Sequence, residues 1–216
     1  MEYKINNLEE LVELGRAEEI DTEKENKLVR EIVSKIKRTM RKNNLTSLSA
    51  PAVGYNKRIF CVDYSDNEIK TYINPVVSLR EGIHLSREVC SSIPDKEYII
   101  PRNNVINIYY QRPNGEVKIQ EFKGLASNVL QHEIDHLEGI TLDDMGLEID
   151  KDFDEATDEE RLEIVNMYLD SLDIMLKDVK EDIENNEELK VISDRLNFTE
   201  AVVSGKVKLM KEEDIK

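Results

Sequence analysis

The chain has 216 residues and a formal net charge of −16, with 39% hydrophobic and 35% charged residues. This length fits one domain of ordinary size, or one domain with an appendage, and supplies enough apolar residues for a core. The negative charge argues against nucleic-acid or anionic-membrane partners, because phosphate binding requires a basic excess. The first residues lack an apolar signal core and no apolar run reaches membrane-spanning length, so we expect a cytoplasmic protein that does not associate with membranes.

The first half of the chain predicts one helix followed by strands. Apolar residues at helical spacing, with basic residues between them, indicate a helix within residues 22–42. Asn114-Gly115 is a hairpin-turn signal between the last two of the predicted strands. Those β-rich runs are residues 58–63, 70–73, 76–79, 98–100, 105–110 and 117–122. A helix, several strands and a further helix predict an α+β fold.

That further helix, expected at about residues 125–138 and ended by Gly139, carries the most informative motif. His132 and His136 lie one turn apart on the same side of the helix, with Glu133 beside them. Two imidazoles and a carboxylate in this arrangement are typical of a hydrolytic metal site, in which the carboxylate can hold the attacking water. The chain has only three histidines and two are in this motif, so the pattern favours a metallohydrolase.

The last third of the chain differs in composition. Residues 149–216 hold 21 acidic and 10 basic residues and so contribute −11 of the net charge. Thr157 and Glu160 form a capping box, and apolar residues spaced by three and four then predict one long amphipathic helix over 157–183. Its apolar seam is suited to self-association, although a run of about three heptads more often packs against its own domain. We therefore divide the chain into a site-bearing domain, 1–148, and an acidic helical extension, 149–216.

A catalytic site of this kind needs three protein ligands and one open position, so the two histidines require a further donor. Cys90 is the favoured candidate because a thiolate is a soft, electron-donating ligand. The alternative is Glu155, which would make the chain a thermolysin-like metalloprotease. A metzincin is excluded, since Leu142 stands where that class has its third histidine. We expect His84 not to be a ligand, and Cys61 to be a small core residue.

These residues resemble three motifs of the peptide deformylases, a family that removes the formyl group from the N-terminal methionine of new proteins. The family's His-Glu-x-x-His motif is complete at residues 132–136. Its Glu-Gly-Cys-Leu-Ser motif is matched by Glu88-Val89-Cys90-Ser91-Ser92, which keeps the acid, the cysteine and the final serine. Its Gly-x-Gly-x-Ala-Ala-x-Gln motif falls on residues 45–52, where Ala50 is retained and Ala52 replaces the glutamine. The resemblance covers about residues 20–148.

The resemblance implies antiparallel sheets around a central metal-site helix, preceded by an N-terminal helix and followed by the added acidic extension. It also implies one divalent metal, Fe²⁺ or Zn²⁺, held by Cys90, His132 and His136. Glu133 would accept the proton of the attacking water, and the backbone N–H of Ser91 would stabilise the oxyanion. The substrate would be an N-formylated peptide or nascent chain.

Further positions follow from the departure at Ala52 and from the residues on and around the motif helix. Ala52 lacks the side-chain donor of the family's glutamine, which predicts weak or altered activity and leaves a catalytically silent binding protein as the alternative. Leu125 and Val129 are candidates to line a pocket for a methionine-like side chain, with a place in the core as the alternative. Arg102 and Asp135 are candidates for a buried pair that steadies the motif helix, with a surface pair as the alternative. Glu88 is a candidate to hydrogen-bond a ligand or loop, with a solvated carboxylate as the alternative.

Overall fold

The computed structural model describes residues 4–64 and 68–183, with side chains described through residue 171. The described helices are α1 (Leu8–Leu14), α2 (Asn26–Asn43), α3 (Leu125–Leu137), α4 (Leu142–Met145), α5 (Lys151–Glu155) and α6 (Asp158–Ile183), with a 3₁₀ turn at Pro51–Val53. The described strands are β1 (Ser47–Ser49), β2 (Ile59–Asp63), β3 (Ile69–Cys90), β4 (Ile93–Gln111), β5 (Val117–Lys123) and β6 (Leu147–Ile149). In the described part of the chain, no helix is long and apolar enough to cross a membrane.

One antiparallel sheet forms the centre of the fold. Its strands lie in the order β1-β2-β3-β4-β5, and β6 pairs with β4. The turn between β4 and β5 contains Gly115 at a φ of 83°, as the Asn-Gly signal predicts. The α+β class predicted from the sequence is confirmed.

Two of the strands are longer than predicted. The runs at 70–73 and 76–79 both lie within β3, and those at 98–100 and 105–110 both lie within β4. Asn74, at a φ of 48°, and Pro75 interrupt the apolar pattern at an irregularity in the ladder, where pairing shifts register between Ile73 and Val76. Largely polar and exposed residues then continue β3 toward Cys90, so hydrophobic alternation alone underestimates this hairpin.

The predicted N-terminal helix corresponds to α2. Its buried face, which includes Val29, Ile32, Ile36 and Met40, belongs to the same core cluster as Leu48 and Ile59 of the sheet. The helix ends at Asn44, a left-handed residue whose N–H donates to the Met40 carbonyl. A shorter helix, α1, precedes it and begins with a capping box of Asn7 and Glu10 that the sequence analysis did not identify.

Helix α3 packs one face into a second core cluster and turns its motif face toward a cleft. Leu130, Ile134 and Leu137 share that cluster with aromatic side chains of the sheet, among them Phe60 and Tyr72. The helix is followed by Gly139 at a φ of 74°, where an added Cβ would lie 2.8 Å from the Gly15 carbonyl carbon. Glycine is therefore required at this turn on two grounds, its conformation and its close approach to another backbone segment.

The segment after residue 149 is helical, as predicted. Helix α6 begins after Thr157, whose backbone N–H donates to the Glu160 carboxylate while its hydroxyl accepts from the Glu160 N–H. Val165 and Tyr168 are buried, and the Tyr168 hydroxyl donates to the Met145 carbonyl at 2.6 Å. The part of the predicted seam that begins at residue 172 lies outside the described side chains.

Candidate metal centre and substrate cleft

Three side chains converge on one point between β3 and α3. Cys90 ends β3, while His132 and His136 lie one turn apart on α3, and one ligand atom from each lies within 4.8 Å of the others. The Cys90 Sγ is 3.4 Å from His136 Nε2, across a sequence separation of 46 residues. The structure thus brings together the three residues named as ligands from the sequence.

The other candidates for a ligand lie elsewhere. Within the described residues, the group of Cys90, His132 and His136 is the one cluster of this kind, and His84, Cys61 and Glu155 do not belong to it. Cys61 is fully buried in β2 with its sulfur 3.5 Å from the Thr71 hydroxyl. His84 is buried, with its Nε2 3.1 Å from Asn128 Nδ2, and Glu155 is exposed on α5.

Each histidine ring is held on its Nδ1 side. The Nδ1 of His132 is 3.0 Å from Glu88 Oε2, and the Nδ1 of His136 is 3.3 Å from the Ser49 hydroxyl. With each Nδ1 engaged, the Nε2 atom of each ring is the one available for a metal ion. Glu88 therefore has the role expected of it, while the contact of Ser49 was not predicted.

A buried ionic network joins α3 to strands β3 and β4. The Arg102 guanidinium is fully buried and donates to Asp135 of α3 at 2.6 Å and to both carboxylate oxygens of Glu88 at 2.7 Å. Burial would raise the pKa of the Glu88 carboxyl, but the charge and hydrogen bonds of Arg102 outweigh it and lower that pKa well below its ordinary value. The predicted pair of Arg102 and Asp135 is therefore present, and Glu88 extends it to His132.

The pKa values of the two cysteine thiols are shifted in opposite directions. Burial raises the pKa of the Cys90 thiol, but hydrogen bonds with His132 and His136 outweigh this effect and lower it to about 5. Burial raises the pKa of Cys61 to about 11. At neutral pH Cys90 is therefore a thiolate, the form that binds metal ions, and Cys61 is a neutral thiol.

Glu133 is buried beside the ligand group with its two carboxylate oxygens in different environments. Its Oε1 accepts a hydrogen bond of 2.6 Å from the Ser47 hydroxyl. Its Oε2 is buried without a hydrogen bond among the described residues and lies 3.7 Å from His136 Nδ1. A buried carboxylate oxygen with no donor is costly unless a further group, such as a water molecule, bonds to it. Ser47 was not predicted, although a hydroxyl in place of the first motif's second glycine is the signal that could have identified it.

A cleft of about 690 Å³ opens over these residues. Ser91 is exposed and lines the cleft beside Cys90. Leu125 and Val129 also line it, with Leu125 65% exposed and Val129 packed partly against the core. Both residues are thus available to an apolar group of a substrate.

Ala52 occupies a different place from the one expected. It lies in the 3₁₀ turn Pro51–Val53, is fully buried in the cluster that contains the α2 side chains, and does not line the cleft. Its carbonyl accepts a hydrogen bond from the Asn6 N–H at 2.8 Å. A methyl group in this cluster has no access to a substrate, so Ala52 is a packing residue in the structure rather than a substrate contact.

Comparisons with known proteins agree with the geometry. Residues 3–150 match the model of the polypeptide deformylase family. A peptide deformylase from Dictyoglomus turgidum is 39% identical over 137 residues, which are 63% of this chain and 86% of that protein. The crystal structure of peptide deformylase from Thermotoga maritima superposes with a TM-score of 0.62 at 29% identity and covers 67% of this chain and 97% of its own. The crystal structure of a probable peptide deformylase from Synechococcus phage S-SSM7 superposes with a TM-score of 0.60 at 31% identity. This match covers 65% of this chain and 97% of the phage chain.

The region matched by the family model contains the converging cysteine and histidines, the glutamate beside them and most of the cleft that lies over them. The family consists of metal-dependent hydrolases that process the N-termini of proteins. This chain belongs to the polypeptide deformylase family.

Proposed function

We propose that this chain hydrolyses the formyl amide at the N-terminus of N-formylated peptides and nascent chains, using one divalent metal ion held by Cys90, His132 and His136. The observation that carries the proposal is the convergence of these three ligands in a cleft, beside a buried glutamate with one carboxylate oxygen that no described residue hydrogen-bonds. The products are formate and a free amino terminus.

The residues present fit such an ion. A thiolate and two imidazoles form a donor set that suits Fe²⁺ or Zn²⁺, whereas Mg²⁺ and Ca²⁺ prefer oxygen ligands. The lowered pKa of Cys90 supplies the thiolate at neutral pH, and the contacts of the two Nδ1 atoms leave both Nε2 atoms for the metal. When bound, such an ion activates a water molecule for attack on a carbonyl carbon.

Glu133 is the proposed proton carrier. Its free Oε2 takes a proton from the attacking water and then delivers it to the nitrogen of the departing amine, so that the carboxylate is regenerated in each cycle. The Ser47 hydroxyl holds the other oxygen, Oε1, and so restricts the orientation of the carboxylate.

The substrate side of the site is proposed from the cleft. The backbone N–H of Ser91 donates to the formyl oxygen as negative charge develops there, and Leu125 and Val129 contact the methionine side chain. Loss of one oxyanion donor typically lowers kcat by about 100- to 1000-fold. Because Ala52 is buried and has no polar side-chain group, we expect a lower rate than in relatives that have glutamine there.

The proposed compartment is the cytoplasm, and the proposed domain division is a catalytic unit over residues 1–148 with an added extension over 149–216. Neither cysteine is in a disulfide, as a reducing compartment favours. We also propose self-association through the 157–183 helix. It would use apolar positions other than Val165 and Tyr168, because those two side chains are buried within the chain itself.

The direct test is formate release from formyl-Met-Ala-Ser by the purified full-length protein loaded anaerobically with Fe²⁺, Zn²⁺ or Ni²⁺. We expect formate from the wild-type protein and a decrease of at least about 100-fold in kcat for Glu133→Gln, which removes the base at constant size. Glu121→Gln is the matched control, because Glu121 is exposed on β5 and lies outside the cleft. Formate is measured by a coupled dehydrogenase assay.

Two results would contradict the proposal. Wild-type protein that holds metal and releases no formate, when a known deformylase turns over in the same buffer, would favour the silent binding protein. Metal content that is unchanged in Cys90→Ala would exclude Cys90 as a ligand and reopen the question of Glu155.

A further inference from the structure

Part of the wall of the cleft lies beyond the region that matches the family. The family model ends at residue 150, yet Lys151 and Asp154 of α5 line the same cleft as the three ligands. Asp150, the N-cap of α5, also lines it and accepts a hydrogen bond from the Phe153 N–H at 3.1 Å. The beginning of the acidic extension is therefore a structural part of the site.

An ion pair holds this helix against the sheet. Arg87 of β3 binds the Asp154 carboxylate through two hydrogen bonds of 2.9 and 3.2 Å. The same guanidinium binds Glu97 of β4, with its Nε 2.6 Å from Oε1 and its Nη2 2.6 Å from Oε2. A planar guanidinium bound to two carboxylates in this way fixes orientation as well as distance. Arg87 thus docks α5 across the β3–β4 hairpin.

A second set of contacts joins α5 to α6. Arg161 of α6 donates to the Phe153 carbonyl at 2.9 Å and also to the Asp154 carbonyl. Its guanidinium carbon lies 6.0 Å from the centre of the Phe153 ring. The short helix is therefore held at Asp154 by the sheet and at its C-terminal turn by α6.

The position of the wall predicts what it contacts. Arg87 precedes the ligand Cys90 by three residues on β3, a distance of roughly 10 Å at the usual rise of about 3.3 Å per strand residue. An extended peptide covers the same distance in about three residues. A chain whose formyl group lies at the ligands would therefore reach α5 with the residues that follow its methionine.

We propose that the Arg87–Asp154 ion pair docks α5 as a wall of the substrate cleft, and that this wall binds the peptide residues following formyl-methionine. The inference rests on the proposed function and adds to it a role for α5, which lies beyond the family match, in binding the part of a substrate that extends past a dipeptide. Arg87 and Asp154 are positioning residues in this scheme, because they act through α5.

The test compares formyl-Met-Ala with formyl-Met-Ala-Ser-Ala as substrates of the metal-loaded full-length protein. For Asp154→Ala we expect the ratio of the tetrapeptide KM to the dipeptide KM to rise about three- to fivefold, the size expected when one exposed ion pair is lost, and the ratio of the two kcat values to stay the same. Asp154→Glu keeps the carboxylate and should retain most of the preference for the longer peptide. Arg112→Ala is the matched control, since it breaks the exposed pair with Glu116 outside the cleft.

A readout without turnover separates this inference from the proposed function. Calorimetry with acetyl-Met-Ala and acetyl-Met-Ala-Ser-Ala should show the same loss of the length preference in Asp154→Ala. Wild-type protein that releases no formate from either substrate would overturn the proposed function. The calorimetric comparison would then show by itself whether α5 binds the longer peptide. A KM that rises equally for the dipeptide and the tetrapeptide would contradict the inference that α5 binds the residues after formyl-methionine. An equal rise in Arg112→Ala would contradict it as well.

Discussion

The two cysteines of this chain have very different thiol pKa values because their local environments differ. Cys90 lines the cleft and is surrounded by two imidazoles, which lower the pKa of its thiol to about 5. Cys61 is enclosed in β2, where burial raises the pKa to about 11. The thiolate is the nucleophilic form of cysteine, so these values predict different reactivity as well as different metal affinity.

We predict that iodoacetamide modifies Cys90 selectively in the folded, metal-free protein. The rate should be nearly constant between pH 6 and 8 and should fall as the pH decreases through about 5, because the thiolate fraction is lost there. Added Zn²⁺ should slow the reaction, since the same sulfur would then be a ligand. Mass spectrometry of the labelled protein measures site and rate, with Cys61→Ser as the matched control. Labelling that increases tenfold per pH unit up to pH 8 would contradict the lowered pKa.

Individual residues also show what sequence reasoning can identify. His132 and His136 could be placed together because helical spacing brings residues four apart to one face. Cys90 could be named from its chemistry and from the resemblance. The contacts of Ser47 and Ser49 with Glu133 and His136 could not be derived, since they depend on how β1 packs against α3. Only the hydroxyl at position 47, in place of a motif glycine, distinguishes Ser47 in the sequence.

At the scale of the elements, one buried arginine joins α3 to both strands of the long β3–β4 hairpin. Arg102 of β4 bonds to Glu88 of β3 and to Asp135 of α3, with no exposure to solvent. Removing one partner from a buried ionic group leaves uncompensated charge, which typically costs about 3–5 kcal/mol. The same element also positions His132 and Glu133, so stability and metal binding depend on one network.

We predict that Arg102→Met lowers the free energy of unfolding by about 3–5 kcal/mol at pH 7. In the wild-type protein the pKa of Glu88 lies below the 4.5 of the unfolded chain, so its stabilisation is complete above pH 4.5 and is lost as the pH falls through the folded value. In the variant Glu88 loses the guanidinium and keeps its contact with His132, so protonation of Glu88 relieves the buried charge at a higher pH than in the wild-type protein. The difference between the two proteins should therefore narrow toward pH 4.

Urea unfolding followed by circular dichroism, with a chelator present, measures this difference at both pH values. Arg112→Met is the control, because its pair with Glu116 is exposed and should change stability by less than about 1 kcal/mol. A difference that is the same at pH 7 and pH 4 would show that Arg102 acts by packing alone.

The lengths of the strands illustrate a limit of pattern reasoning at this scale. Helices α2, α3 and α6 follow from their periodicity and caps, and their bounds agree with the prediction within a few residues. The length of the β3–β4 hairpin does not follow from the sequence pattern. Residues such as Arg80, Glu81 and Arg87 are not fully buried, and hydrophobic alternation identifies only strands with a buried face. Pairing with β4 alone extends β3 to Cys90, and the third ligand depends on that extension.

At the scale of the whole molecule, contacts of α5 and α6 join the described part of the extension to the family region. Residues 149–216 carry most of the net negative charge, yet Val165 and Tyr168 of α6 are buried, and Tyr168 bonds to the carbonyl that ends α4. Arg161, on the same helix, holds α5 at the cleft. Docking of α6 and the shape of the cleft are therefore coupled.

We predict that Tyr168→Ala loosens the extension and leaves the family region folded. Loss of a buried aromatic side chain typically costs about 3–5 kcal/mol, and we expect this loss to weaken mainly the docking of α6, on which Tyr168 lies. Amide hydrogen exchange should become faster in residues 151–171 and remain slow in α2 and α3. Met167→Ala is the matched control, because Met167 is 67% exposed on the same helix. Faster exchange throughout the protein would instead show that the extension and the family region unfold as one unit, with α6 as an integral part of the catalytic domain.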